Sequence, residues 1–193
     1  FPYTTLFRSQ EMLDLLYKSS TDELDMLDYL VEWARIKYAS DVFSPTKIKL
    51  TEFIDKVFDT LNETAAINTI NLHHEIEENT TVFADAKMLI SIIQNIVSNA
   101  IKHTEKGGEI TVSAKSKDDK IIVQVKDNGI GIDLARYKDR IFGLYQRFHA
   151  GKEGKGLGLY MIKAQVMAMG GKIEVESELH QSTTFRVFFK KYD

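Results

Sequence analysis

The stretch from Asp85 to Thr104 constrains the fold most. Leu89, Ile93, Ile96, Val97, Ala100 and Ile101 recur at spacings of three and four, so a helix here carries a broad apolar face. Asp85 can cap its start. A face that wide must be covered by a second layer. The sequence downstream supplies one. Lys106-Gly107-Gly108 turns into a strand over 109–116, and Lys117-Asp118-Asp119 leads to another over 121–125. After a glycine-punctuated region comes a helix over 159–169, then Gly170-Gly171 and a last pair of strands over 172–178 and 183–190. These elements predict an α/β two-layer sandwich with an antiparallel-looking run of strands.

Upstream, residues 10–39 read as a long helix, with Leu24, Leu27, Val31 and Ala34 forming a narrow apolar stripe flanked by charge. The stripe reads either as a surface helix docked on its own domain or as a seam for another helix. Residues 40–45 break the pattern and mark a domain boundary. A short strand over 47–50 precedes an amphipathic helix over 51–70, with Phe53, Ile54, Val57, Phe58, Leu61 and Ala65 on one side. Residues 71–81 alternate as an edge strand or hairpin arm. Residues 1–9 share no periodicity with the helix after them and read as a foreign leader.

Composition removes several function classes. The chain has no cysteine, which excludes disulfide frameworks, cysteine-based zinc sites and thiol catalysis. A net charge of −3 argues against nucleic-acid binding by bulk positive charge. No apolar run approaches the roughly 18 residues of a membrane span. No signal peptide is recognisable.

Four constellations carry chemistry. Asn95, Asn99 and Lys102 lie at i, i+4 and i+7 on the side of the 85–104 helix away from its apolar face. Amide carbonyls are hard oxygen ligands for Mg²⁺, and the lysine can meet phosphate; the plainer reading is a solvated helix face. Asp127-Asn128-Gly129-Ile130-Gly131 follows a strand directly. Its carboxylate can accept from an exocyclic amine, and its glycines let backbone approach a flat ligand; alternatively it is a plain turn. Gly154-Lys155-Gly156-Leu157-Gly158 opens a helix whose free amides can bind phosphate, or forms only a flexible cap. It is neither a Walker A motif nor a dinucleotide fingerprint. Arg140 to Phe148 is an aromatic stretch, either docked on the core through Phe142 and Phe148 or a lid that carries Arg147 towards phosphate.

The order of these motifs resembles the ATP-binding catalytic domain of sensor histidine kinases, within the superfamily that includes gyrase, Hsp90 and MutL. An Asn-x-x-x-Asn-Ala-x-Lys helix, a strand ending in Asp-x-Gly-x-Gly, an aromatic lid and a GxGxGL helix start follow one another. The resemblance covers residues 47–190, including the ending Gly170-Gly171-Lys172 and Thr183-Thr184-Phe185. It implies a Bergerat-type fold over residues 46–193 and the cofactors ATP and Mg²⁺. Asn99 would bind the metal, with Asn95 beside it, and Lys102 would meet phosphate. Asp127, with Thr183, would hold adenine, while Gly129 and Gly131 line the base. His103 would flank the nucleotide. Gly154, Gly156, Leu157 and Gly158 would hold the phosphates, and Arg147 would approach the γ-phosphate. Lys102 and Arg147 are thus the expected catalytic groups.

Leu30-Val31-Glu32-Trp33-Ala34-Arg35 resembles the second helix of the kinases' dimerisation and phosphoacceptor hairpin, so residues 10–45 are expected to be half of that hairpin. The resemblance further implies a homodimer through this helix, a response regulator receiver domain as partner, no direct membrane contact by this segment, and a cytoplasmic location even where the parent is membrane-anchored. The sequence departs from the family in three ways. The acceptor-histidine motif is absent; the five histidines are His73, His74, His103, His149 and His180. Ser182 stands where glycine is usual, and Met169 where histidine is commoner. Gyrase- and MutL-type hydrolases carry a glutamate base where this chain has Asn95, and an amide cannot act as that base. An anti-sigma-type serine kinase or a nucleotide-binding regulatory module shares the domain and is the alternative. The Trp33 helix favours the histidine kinase.

Overall fold

The computed structural model describes residues 10–17, 19–21, 23–24, 27, 31, 34, 44–146, 148 and 156–191. The chain divides into two units, Phe1–Val42 and Phe43–Asp193. In the first, the described residues from 10 to 34 are all helical, and Leu24, Leu27 and Val31 are exposed.

The second unit runs β1 (Pro45–Lys49), α1 (Leu50–Ile67), β2 (Asn71–Ile76), β3 (Thr81–Asp85), α2 (Ala86–His103), β4 (Glu109–Lys117), β5 (Lys120–Asp127), α3 (Leu134–Tyr137), α4 (Gly158–Ala168), β6 (Lys172–Glu178) and β7 (Ser182–Lys190). The main sheet has the order β2-β4-β5-β7-β6, and β1 pairs with β3 in a separate two-stranded sheet. The expected two-layer α/β sandwich is the architecture found.

Two local expectations change. Residues 71–81 are not one strand or hairpin arm. A turn at 77–80 separates β2, at the edge of the main sheet, from β3, which pairs with β1. The sheet is also not wholly antiparallel, because β2 runs parallel to β4 while the other neighbours are antiparallel. The chain between β2 and β4 contains β3 and all of α2, long enough for the crossover that parallel pairing requires. The helical piece expected near residues 137–142 falls earlier, at α3, and turns continue to 145.

One face of the sheet is apolar. Ile110, Val112 and Ala114 of β4, Ile121, Val123 and Val125 of β5, and Phe185, Val187 and Phe189 of β7 are buried at alternate positions. They share one core with Leu50, Ile54 and Val57 of α1, seven residues of α2, and Ile162 and Val166 of α4. The α2 helix begins as its sequence suggests: the Asp85 carboxylate accepts from the amides of Lys87 (2.9 Å) and Met88 (3.1 Å). On the opposite face of the sheet, Arg186 donates to Gln124 across β7 and β5 and pairs with Glu176 of β6. One face is therefore sealed by helices and the other carries polar groups.

Because Ile93 is fully buried at the middle of α2, Ile93→Ala should lower the unfolding free energy by about 2–5 kcal/mol in urea denaturation. Ile67→Ala, at the exposed end of α1, should stay within about 0.5 kcal/mol of the parent.

Candidate functional site

Three sequence-distant motifs meet along α2. Its middle faces the start of α4: a Cβ placed on Gly158 would lie 3.5 Å from Asn95 Oδ1 and 3.8 Å from Asn99 Nδ2. Both asparagines are half-buried, so they are not the solvated helix face that their polarity alone would suggest. Asn95 donates its amide to the Ser91 carbonyl (2.8 Å), which holds the side chain in one orientation and directs its carbonyl oxygen towards α4. Lys102 is exposed and His103 half-buried at the last turn.

The C-terminal end of α2 meets the loop after β5. The amide of Ile130 donates to the His103 carbonyl (3.0 Å), and the amide of His180 donates to the Ile130 carbonyl (2.8 Å). Gly129 and Gly131 lie against the chain's own backbone. A Cβ on Gly129 would sit 2.4 Å from the His103 carbonyl oxygen; one on Gly131 would sit 2.1 Å from that of Glu178. Gly131 also has φ +65°, a conformation that glycine adopts without penalty. Internal packing is therefore a second reason for glycine here, beside close approach to a ligand.

Asp127 ends β5 and is buried. Its Oδ1 accepts from the amide of Gly129 (2.9 Å), and the Thr183 amide also donates to the carboxylate. Burial nevertheless dominates and pushes the carboxyl up to about 6, against the lowering effect of these two N–H groups. Thr183 is buried on β7 as the register partner of Asp127 on one side and of Ser177 on the other. A row of polar groups thus crosses three strands at one end of an otherwise apolar face. The Ser177 hydroxyl donates to the Ser182 carbonyl (2.7 Å), accepts from the Ile132 amide (2.8 Å) and lies 3.0 Å from Thr183 Oγ1. Ser177 is not among the site residues expected from the sequence. Its signal was available in β6, where Ile173 and Val175 precede it at the inward-facing positions.

At the other end of the site, α4 starts without a side-chain cap, and Leu157 before it is buried. Among the described residues no side chain caps its first amides. Gly156 has φ +70°, and a Cβ there would lie 2.4 Å from the Gln146 carbonyl oxygen, so the end of the glycine loop packs on the end of the aromatic stretch. In that stretch Phe142 packs against the core and Phe148 meets Tyr137 edge-on at 5.0 Å. Tyr145, two residues before Arg147 in the sequence, is exposed with φ +58°. Arg147 and Gly154 lie outside the described residues, as do Leu30, Glu32, Trp33 and Arg35.

Residues 84–193 match the family model of histidine kinase-, DNA gyrase B- and HSP90-like ATPases. The chain belongs to this family. The circadian input-output histidine kinase CikA of Synechococcus elongatus is 29% identical over 94% of this chain and 25% of its own length. The catalytic domain of histidine kinase ThkA, in a nucleotide-free form, superposes with a TM-score of 0.68 at 27% identity, covering 77% of this chain and 96% of that one. ThkA in complex with the response regulator TrrA gives a TM-score of 0.71 at 26% identity, covering 89% and 49%. The chain spans only 21%, 25% and 25% of the length of three curated relatives it matches. What it contains is a histidine-kinase-type ATP-binding catalytic domain, as its motifs anticipated.

The donor set suits an adenine nucleotide. A buried carboxylate offers acceptors at one end, and uncapped amides beside two half-buried asparagines offer donors and neutral oxygens at the other. Among the described residues no cluster of three or more His, Asp or Glu side chains could hold a metal, so a magnesium ion here would rely on an amide oxygen and on phosphate.

The raised carboxyl of Asp127 sets the sign of a pH dependence. Its folded pKa lies above the ordinary aspartate value of 3.8, so the stability tied to its protonated form is complete below 3.8 and lost as pH rises through about 6. An amine donor favours the ionised form, so affinity runs the other way. ADP should bind about tenfold more weakly at pH 5 than at pH 7.5 by calorimetry. Asp127→Asn should lose about 1–3 kcal/mol of ADP affinity at neutral pH and lack this component of the pH profile.

Proposed function

We propose that this chain is the ATP-binding catalytic part of a two-component sensor histidine kinase. Mg-ATP would lie along α2, with its base at Asp127, Thr183, Gly129 and Gly131 and its phosphates at Gly154, Gly156, Leu157 and Gly158. Asn99 would hold Mg²⁺ with Asn95 beside it, His103 would flank the nucleotide, and Lys102 would meet phosphate. The observation that carries this reading is Asp127. It is a buried carboxylate with no cationic partner among the groups that shift it, held open by two backbone amides at the end of an apolar sheet face. A group kept that way costs stability unless a donor completes it.

Bound ATP would supply a γ-phosphoryl group for transfer to a histidine outside these 193 residues. The chain's own residues would position and neutralise charge, which is most of what phosphoryl transfer requires. Asn95 cannot abstract a proton from water, which supports transfer over hydrolysis. The exposed Leu24, Leu27 and Val31 support pairing of the first helix with a second copy of the chain. A receiver domain of a response regulator is the downstream partner, in keeping with the ThkA complex.

None of the described histidines has an acceptor setting. His73 contacts Glu109 and Thr111, His74 contacts Asp55, His103 is half-buried at the end of α2, and His180 occupies a turn. With γ-labelled ATP this chain alone should therefore form no acid-labile phosphohistidine. Stoichiometric label on any of its five histidines would refute the assignment of the acceptor to another segment.

Arg147 would meet the γ-phosphate through its planar guanidinium. In a protein that includes the acceptor histidine, Arg147→Ala should slow single-turnover phosphorylation by about 10²-fold or more. ADP affinity should hardly change, because ADP lacks the group contacted. Equal losses in rate and ADP affinity would assign Arg147 to the fold or base pocket instead.

A further inference from the structure

The hydrogen-bond partners of Ser177 decide the direction of its contact with Thr183. A serine hydroxyl has one proton to give. At Ser177 that proton goes to the Ser182 carbonyl oxygen, which can only accept (2.7 Å). The Ile132 amide, which can only donate, occupies a lone pair of the same hydroxyl oxygen (2.8 Å). The remaining contact, 3.0 Å to Thr183 Oγ1, is one in which either hydroxyl could donate by distance alone. With the serine proton already committed, Thr183 must be the donor.

That polarity carries over to the base pocket. Once the Thr183 proton points at Ser177, the rest of its oxygen accepts only. Thr183 is also the register partner of Asp127, and its amide donates to the Asp127 carboxylate. Two acceptors of settled polarity therefore stand side by side on adjacent strands. Such a pair suits an exocyclic amine, or a water that donates to both, and it mispairs with a carbonyl oxygen at the same place.

We propose that Ser177 is a positioning residue of the base pocket: it locks the Thr183 hydroxyl as an acceptor and so strengthens the selection of an amino-purine over an oxo-purine nucleotide. This rests on the reading of the Asp127 end as the base site. Ser177 acts through Thr183 and does not itself meet the base. Its bond to the Ile132 amide also ties β6 to the loop that carries Gly129 and Gly131.

The test compares ADP and IDP, which differ in an amine against a carbonyl, by calorimetry on the whole chain. The parent should prefer ADP. In Ser177→Ala the Thr183 proton is free to turn towards a carbonyl, so the ADP-to-IDP preference should fall by about 5–10-fold while ADP affinity changes less. Ser177→Thr keeps the hydroxyl and should restore the preference. Ser177→Cys, a weak donor of similar size, should shift it as alanine does and serves if the alanine variant loses its fold. In a Thr183→Val background, Ser177→Ala should leave the ratio unchanged. Equal weakening of both nucleotides, or an unchanged ratio, with ADP still bound by the parent overturns the lock but leaves the base site standing. A parent that binds neither nucleotide overturns both.

Discussion

The burial of α2 is the constraint on which the rest of the domain depends. Seven of its residues are sealed against the sheet and neighbouring helices. That leaves the helix no freedom to rotate, because a turn about its axis would expose Leu89 or Ile93 to water at roughly 1.5–3 kcal/mol each. The fixed rotation delivers everything else. Asn95 and Asn99 are held at the start of α4, and the His103 carbonyl is presented to the loop after β5. Apolar packing thus sets the position of polar groups that take no part in the packing.

At the sheet end of the site the logic is reversed. Asp127, Thr183 and Ser177 occupy inward-facing positions that elsewhere on β5, β7 and β6 hold Val125, Phe185 and Val175. Three polar residues there forgo apolar burial, and burial of its carboxyl raises the pKa of Asp127. Their hydrogen bonds offset part of that cost, but among the described residues no cationic group shifts the carboxylate. A local departure from core patterning, held in place by a well-ordered sheet, is what a binding site built on rigid elements requires.

Much of this was legible in the chain. The period of 3–4 in α2, the cap at Asp85 and the alternation along β4 and β5 are local signals with local causes, so they survive without tertiary context. The asparagine, aspartate and glycine motifs were legible for the same reason: each is a short run whose residue types serve one kind of chemistry. The reading of residues 71–81 went wrong because alternation does not reveal a partner. The turn at 77–80 sends β3 to β1, and β2 to the edge of a different sheet.

The sequence by itself determined most of the elements, the two-layer class and the motifs that mark the family, since periodicity, capping and glycine placement act over a few residues. Only the tertiary structure decided the order β5-β7-β6, and with it the row Asp127, Thr183, Ser177. The pairing of β5 with β7, from Asp127↔Thr183 to Lys120↔Lys190, joins residues far apart in the chain through backbone groups that are the same in every residue, so no local pattern encodes it. The direction of the Ser177–Thr183 hydrogen bond lies further still from the sequence. It follows from which carbonyl and which amide the fold happens to bring beside one hydroxyl.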